Sequence, residues 1–168
     1  MLAAYRVTFV CMGNICRSPT AHGVFRQRVR DAGLAEAVAV DSAGTHDYHP
    51  GEAPDPRSQR HARRRGYDLS DLRARVLVPA DYARADLLLV MDEANLAHAS
   101  RRCPPAHGHK LRLLTSFCRV HRATEVPDPY AGGAEGFEHV LDLVEDACDG
   151  LLEHVRQALA ARGPPLSP

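Results

Sequence analysis

The sequence predicts a single-domain α/β fold, in which a doubly wound parallel sheet of four strands is flanked by helices. Short apolar runs alternate along the chain with segments of helical periodicity, which is typical of strands joined by crossover helices. The length of 168 residues suits one domain and is too short for two ordinary ones. We expect the domain to span residues 1–163 and residues 164–168 to form a frayed C-terminal tail.

The predicted strands are short runs rich in apolar and β-branched residues. The strongest is the run at residues 86–91, because a continuous apolar stretch is typical of a central parallel strand covered on both faces. In such a fold the ligand site lies beyond the carboxyl ends of the strands, where Cys11, Ser42 and Asp92 are predicted to emerge. The predicted strands cover residues 6–10, 37–40, 86–91 and 110–114.

The predicted helices follow from apolar residues that recur at intervals of three or four. Ser18 is the expected N-cap of the first helix, with Pro19 as its first helical residue. Gly33 and Gly163 are expected to end the first and last helices. The predicted helices cover residues 20–31, 57–65 and 79–83, a segment around Asn95, and a long stretch that starts at Glu135.

The first strand runs into a loop that opens the first helix, with the sequence Cys11-Met12-Gly13-Asn14-Ile15-Cys16-Arg17-Ser18-Pro19. Such a loop aims backbone N–H groups and the positive end of a helix dipole at one point, which suits an oxyanion. Those donors and a nearby guanidinium predict that Cys11 is a thiolate nucleophile at neutral pH. Arg17 can offer two parallel N–H groups to a tetrahedral oxyanion, and the Ser18 hydroxyl can stabilise the sulfur.

The loop sequence CMGNICRSP resembles the phosphate loop of the low-molecular-weight protein tyrosine phosphatases, in their bacterial form. The second landmark of that family is an Asp-Pro pair near the C-terminus, which Asp128-Pro129 supplies. The resemblance also covers residues 41–45, 54–57 and 91–95, and it therefore runs through most of the chain. It implies a single-domain hydrolase that uses no metal and no cofactor.

The resemblance also implies a protein-tyrosine-phosphatase reaction in two steps, through a phosphocysteine intermediate. Cys11 would attack phosphorus, Arg17 would clamp the phosphate oxygens, and Asp128 would act first as general acid and then as general base. Asn14 is expected to adopt a left-handed backbone conformation, and two tyrosines to flank the phenyl ring of phosphotyrosine. The expected substrate-binding residues are Met12, Gly13, Asn14, Ile15, Cys16, Ser18, Tyr48 and Tyr130.

Two positions depart from the family pattern. The family ties the loop asparagine and the serine matching Ser42 to a histidine, but Leu72 stands here after Leu69-Ser70-Asp71, so that histidine is missing and the loop must be supported differently. Many relatives carry a second aromatic residue after the tyrosine of the Asp-Pro segment. Ala131 stands at that position, which predicts looser substrate selectivity.

Cys16 raises the hypothesis of redox control. It could capture an oxidised Cys11 as a reversible disulfide, while the simpler interpretation is a small residue packed in the loop. The segment at residues 57–65 carries five arginines and is interpreted as a solvated helix face. The alternative for that segment is a basic rim that attracts acidic phosphopeptides.

The amino-acid composition indicates which binding partners and which cellular compartment to expect. The 21 basic and 21 acidic residues balance, which argues against binding to nucleic acid or to a membrane surface, and no apolar stretch is long enough for membrane insertion. Five cysteines without the spacing of a disulfide framework fit a reducing compartment, so we expect the cytoplasm. The expected partner is a tyrosine-phosphorylated protein, with a bacterial tyrosine kinase as one candidate, and we expect a monomer.

Two enzymes with a similar loop are alternatives. An arsenate reductase would need a further pair of cysteines to relay a disulfide outward, whereas Cys103, Cys118 and Cys148 are widely spaced. A phosphoarginine phosphatase also resembles this chain, but such enzymes carry threonine where Ile15 stands.

Two further alternatives are proteins that bind a ligand without catalysing a reaction. A metal-binding module is suggested by the pair Cys11 and Cys16 and by Cys103 near His107 and His109, but structural zinc prefers two tight ligand pairs, and only the first pair approaches that spacing. A protein that only binds phosphotyrosine is the other alternative, although no residue of the catalytic set is missing.

Overall fold

A computed structural model describes residues 4–163 as four parallel strands in the order β2-β1-β3-β4, with helices on both faces. This confirms the predicted doubly wound α/β fold, while the predicted tail at residues 164–168 lies outside the described residues. The strands are β1 (Tyr5–Cys11), β2 (Val38–Gly44), β3 (Leu87–Val90) and β4 (Leu111–Leu113).

Five α-helices connect and cover the strands. The longest, α5, packs with α1 on one face of the sheet, and α2 packs against α5. The α-helices are α1 (Arg17–Asp31), α2 (Pro56–Arg64), α3 (Pro79–Arg84), α4 (Glu93–Arg102) and α5 (Ala134–Arg162). Two 3₁₀-helices, Pro105–Lys110 and Leu114–Phe117, flank β4.

The sheet is buried on both faces, as its apolar strands require. Alternate residues of β1 point to opposite sides, so that Phe9 belongs to the larger core beneath α1 and α5 while Val10 belongs to a smaller one. The same alternation divides β3, since Leu89 faces the larger core and Leu88 the smaller. Tyr82 of α3 joins the smaller core. Burial of both faces explains why the β3 run is continuously apolar.

The carboxyl ends of β1, β2 and β3 meet at one edge of the sheet, where Cys11 lies in register with Gly44. The strand β2 extends beyond the predicted residues 37–40 because its last residues pair with β1. A Cβ on Gly44 would lie 2.7 Å from the Met12 carbonyl oxygen, so only glycine lets the two segments approach this closely.

The first helix begins two residues before the position that the capping pattern predicted. Its N-cap is Cys16, and the expected cap, Ser18, lies inside the first turn. The Ser18 hydroxyl bonds to the side chains of Cys11 and Asn14, and it is therefore unavailable for capping. Backbone and loop contacts have overridden a local capping preference.

Candidate active site

A cavity of about 250 Å³ opens at the carboxyl edge of the sheet. It brings the loop after β1 together with Tyr48 and with the Asp128-Pro129-Tyr130 segment, which are distant in sequence. His49, which sequence patterns did not single out, also lies in its wall. The lining residues are Cys11, Met12, Gly13, Ile15, Cys16, Arg17, Tyr48, His49, Asp128 and Tyr130.

Cys11 ends β1 at the base of this cavity and is only 3% exposed. Its Sγ lies 3.0 Å from the Ser18 Oγ, and the amide nitrogen of Asn14 donates to the same hydroxyl oxygen at 2.7 Å. Because the Ser18 oxygen accepts that bond, its own proton can be directed at the Cys11 sulfur. A hydrogen bond from Ser18 can therefore reach the Cys11 sulfur at the base of the cavity.

The side chains of Asn14 and Ser18, two residues that are expected to bind substrate, lie behind the loop and support it. Both are buried, at 2% and 0% exposure, and they do not line the cavity. Asn14 adopts a left-handed backbone conformation (φ 59°), which confirms that prediction. Its side-chain oxygen accepts the Arg75 backbone N–H at 3.0 Å. A main-chain donor therefore fixes this amide, and no imidazole is needed next to it.

The strand-like segment that carries Arg75 is itself held firmly. The Arg75 guanidinium donates to Asp41 at 2.7 Å and to both carboxylate oxygens of Asp81 at 2.9 Å. These partners raise the pKa of Arg75, whereas burial opposes that rise. Leu72, at the position of the missing histidine, is 9% exposed and packs in the larger core.

A buried histidine on α1 provides a further polar contact near this edge. The Nδ1 of His22 lies 3.0 Å from the Ser42 hydroxyl, and His22 is 8% exposed. Burial lowers the pKa of His22 from 6.5 to about 4, with Arg26 adding to the effect. The imidazole is therefore neutral at physiological pH.

Protein contacts hold one terminal nitrogen of the Arg17 guanidinium in place. The guanidinium donates through one nitrogen to Asp92 at 2.6 Å and to the Val126 carbonyl oxygen at 3.0 Å, and only 2% of the side chain is exposed. Its other terminal nitrogen lies 3.9 Å from an oxygen of Asp128. The sequence predicts Asp92 at the carboxyl edge of the sheet but does not indicate what it does there. The structure places it as the ion-pair partner that orients the guanidinium.

Asp128 lies across the cavity from the loop, on a segment anchored at Val126. The Val126 backbone N–H donates to the Met91 carbonyl at 2.7 Å, and the Val126 side chain is fully buried. The Asp128 carboxylate accepts the Tyr130 backbone N–H at 3.0 Å, and 49% of the Asp128 side chain is exposed. One oxygen is thereby oriented by the backbone, while the group stays open to solvent and to the cavity.

The mouth of the cavity is aromatic. Tyr48 and Tyr130 are 59% and 53% exposed, so both rings can contact a ligand. The Tyr48 ring stacks on His46, with centroids 4.9 Å apart. Arg57 supports Tyr130 from behind, because its guanidinium lies 5.5 Å from the ring centroid and donates to the Tyr130 carbonyl at 3.0 Å.

Cys16 differs from Cys11 in its surroundings. It is 6% exposed, and burial raises its pKa to about 12, so its thiol is protonated at neutral pH. The other cysteines lie away from the cavity lining. Cys103 follows α4, Cys118 follows the second 3₁₀-helix, and Cys148 is buried within α5.

Within residues 4–163, no three or more His, Cys, Asp or Glu side chains are grouped so that they could hold a metal ion. No helix in the same part of the chain has the length and apolar character that crossing a membrane would require.

Comparisons with known proteins identify a matching family and several similar proteins. A family model described as low molecular weight phosphotyrosine protein phosphatase matches residues 6–161. A low molecular weight protein-tyrosine-phosphatase of Streptomyces coelicolor is 46% identical over 162 residues, which cover 94% of this chain and 98% of that protein. A low molecular weight phosphotyrosine protein phosphatase of Homo sapiens is 39% identical over 153 residues, or 90% of this chain and 96% of that protein.

A solved structure agrees with these matches. A protein tyrosine phosphatase from Entamoeba histolytica, crystallised with Hepes in its active site, superposes with a TM-score of 0.89 at 38% identity. The superposition covers 92% of this chain and 98% of that one.

Proposed function

Because the chain belongs to the low molecular weight phosphotyrosine protein phosphatase family, it is a protein tyrosine phosphatase, and we propose that it works through a phosphocysteine on Cys11. The observation that carries this proposal is that Cys11, Arg17 and Asp128 line one cavity. A nucleophile, an anion clamp and a proton donor can therefore reach the same phosphate.

In the first step, the Cys11 thiolate attacks phosphorus in line with the bond to the tyrosine oxygen. The loop N–H groups and the free face of the Arg17 guanidinium hold the three equatorial oxygens, where charge is spread in the transition state. As the S–P bond forms, the P–O bond breaks and its electron pair leaves on the phenolate oxygen. The Ser18 hydroxyl, 3.0 Å from the sulfur, stabilises the thiolate before attack.

Asp128 gives its proton to that phenolate oxygen, so that tyrosine departs as the neutral phenol. In the second step the Asp128 carboxylate takes a proton from water as the water oxygen attacks the phosphocysteine. Phosphate leaves, and the Cys11 thiolate is regenerated. Such a proton donor contributes about 10²–10⁴-fold to the rate. Half exposure of the Asp128 side chain gives water access for the second step.

The substrate class follows from the mouth of the cavity. Tyr48 and Tyr130 would flank the phenyl ring, and Met12 and Ile15 would contact its edge, which favours phosphotyrosine over the shorter phosphoserine. The substrate is therefore a tyrosine-phosphorylated protein, and a bacterial tyrosine kinase is one candidate for it. We further propose that the protein is cytoplasmic and monomeric, with a single domain over residues 1–163.

Hydrolysis of para-nitrophenyl phosphate and of a phosphotyrosine peptide tests this function. The wild type is expected to hydrolyse both substrates, the Cys11→Ser variant neither, and the Asp128→Ala variant both at greatly reduced rates. Turnover by Cys11→Ser, or its absence from the folded wild type, would overturn the proposed mechanism.

A further inference from the structure

A second concave surface lies beside the catalytic cavity, between α3 and α4. Tyr82 forms its base, since its ring is 2% exposed and its hydroxyl donates to the Ala99 carbonyl oxygen at 2.8 Å. We call it the α4 groove, and it is formed by Leu77, Val78, Pro79, Tyr82, His98 and Arg102.

The α4 groove is joined to the active site by the segment that carries Tyr48. The backbone N–H groups of Thr45 and His46 donate to the carbonyls of Cys11 and Met12 at 2.8 and 3.0 Å. The His46 ring contacts both sides, because its centroid lies 4.9 Å from that of Tyr48 and 4.6 Å from that of His98. An extended peptide advances about 3.3–3.6 Å per residue. A side chain two to four residues from a bound phosphotyrosine can therefore reach the groove.

The charge in the α4 groove is positive and uncompensated. Arg102 is exposed and forms no ion pair within residues 4–163. Asp81, the acidic residue of α3, already accepts hydrogen bonds from the Arg75 guanidinium at 2.9 Å and from the Val78 backbone N–H at 2.8 Å. Burial, followed by the proximity of His46, lowers the pKa of His98. His98 is thus a neutral hydrogen-bonding group near pH 7, and Arg102 carries the charge.

The other basic surface is less suited to bind a side chain. On α2, Arg57 is paired with Asp55 at 2.9 Å, and Arg65, the C-cap of that helix, bonds to three carboxylates of α5. The remaining arginines of that helix, Arg60, Arg63 and Arg64, are exposed on a convex helix surface. Arg102 borders apolar walls and has no such partner in the part of the chain that the structure describes.

We propose that the α4 groove binds an acidic residue two to four positions from the phosphotyrosine of the substrate protein, with its carboxylate paired to Arg102. This inference rests on the proposed function and adds a specificity-determining residue to it. The methylene groups of a glutamate would contact the walls formed by Leu77, Val78 and Pro79, while His98 offers a further hydrogen bond. Both opposite charge and side-chain length thus favour glutamate.

The test uses phosphotyrosine peptides that carry glutamate at one position from −4 to +4, each matched by a peptide with glutamine there. We expect kcat/KM to favour glutamate over glutamine about fivefold at one or two positions in the wild type, and Arg102→Gln to abolish that preference. In the Arg102→Glu variant, a matched peptide with lysine at the same position should be hydrolysed with a higher kcat/KM than the glutamate peptide. Arg101→Gln, which removes the same charge from the adjacent position outside the groove, should preserve the preference.

Two readouts separate this inference from the proposed function. Hydrolysis of para-nitrophenyl phosphate, which is too small to reach the groove, should be equal in the wild type, Arg102→Gln and Arg101→Gln. The same peptides, labelled with a fluorophore, can also be bound to the inactive Cys11→Ser variant, with and without Arg102→Gln. The difference in Kd then measures the contribution of the groove to binding without any turnover. The inference is overturned if glutamate has no advantage at any position, or if Arg101→Gln and Arg102→Gln reduce that advantage equally.

Discussion

Asp92 holds the Arg17 guanidinium through one nitrogen at 2.6 Å and leaves the other terminal nitrogen facing the cavity. Asp92 follows β3, while Arg17 begins α1, so the pair ties the carboxyl ends of two neighbouring strands. The buried guanidinium, 2% exposed, is thereby oriented before a phosphate arrives. Orientation in advance of binding is how a clamp stabilises a transition state without reorganising.

Replacing Asp92 with asparagine should therefore lower activity more than stability. Asparagine can still accept the Asn95 backbone N–H as the N-cap of α4, but it loses the charge that orients Arg17. We expect kcat/KM for para-nitrophenyl phosphate to fall by about 10²-fold, as small misplacements of a clamp do. The measurement is steady-state kinetics with a thermal melt of each variant. Glu93→Gln is the matched control on the same helix turn, and an unchanged kcat/KM in Asp92→Asn would contradict the assigned role.

The Asp128→Asn variant should show a loss that depends on the leaving group. Phenolate is a poor leaving group and needs a proton, whereas nitrophenolate leaves readily without one. We expect kcat/KM, which reports formation of the phosphocysteine and departure of the leaving group, to fall by about 10²–10⁴-fold with phenyl phosphate and much less with para-nitrophenyl phosphate. Comparing kcat/KM for the two substrates in one preparation checks this. Equal losses with both would show that Asp128 acts in some way other than proton donation to the leaving group.

His22 should make the fold sensitive to acid. Burial lowers its pKa from 6.5 to about 4, so between those values the unfolded chain binds a proton that the folded chain does not. Its contribution to stability is complete above pH 6.5 and is lost as the pH falls toward 4. The free energy of unfolding should therefore decrease by about 2–3 kcal/mol between pH 7 and pH 4.5 on account of this residue.

Denaturant unfolding at both pH values tests the His22 assignment. The His22→Gln variant should lack this part of the pH dependence, while the control variant His139→Gln, at an exposed site of α5, should retain it. An identical decrease in the wild type and in His22→Gln would exclude His22 as the source.

The redox hypothesis for Cys16 yields its own prediction. If peroxide converts Cys11 to a sulfenic acid, the Cys16 thiol can displace water to form a disulfide, which a dithiol then reduces. The pKa of about 12 keeps Cys16 protonated, so capture should be slow at pH 7 and faster at pH 8.5. Mass spectrometry should find the Cys11–Cys16 link and recovery of activity in the wild type, but sulfinic acid in Cys16→Ser. Sulfinic acid alone in the wild type would refute the hypothesis.

Local sequence patterns were sufficient to predict the fold and to place Cys11 and Arg17 in one loop, and the resemblance to the family added Asp128 to the site. A strand, a glycine-containing loop and a helix start are contiguous, and the Asp-Pro segment is identified by its resemblance to the family. The partners that hold these groups were not predicted. Arg17 reaches Asp92 across 75 positions, and Asn14 reaches Arg75 across 61, so both contacts depend on how distant elements pack.

The role of Ser18 shows the same limit. As a residue before proline at a helix start it has the pattern of an N-cap, yet its hydroxyl serves the Cys11 sulfur and Asn14. His49 was missed because a histidine in a loop rich in glycine and proline carries no periodic signal. Its ring packs against Gly13 of the loop after β1, where an added Cβ would lie 3.1 Å from the His49 Cδ2, and this contact between distant segments carries no local signal.

Formation of a phosphoryl–sulfur bond at Cys11 is the central claim, and rapid acid quenching followed by peptide mass spectrometry tests it most directly. The Asp128→Ala variant, mixed with para-nitrophenyl phosphate, is expected to accumulate the intermediate, because its slow second step lacks the general base. The account predicts one phosphoryl group on the peptide that contains Cys11, and none in Cys11→Ser. Turnover with no phosphorylated peptide, or with the phosphoryl group on another residue, would contradict it.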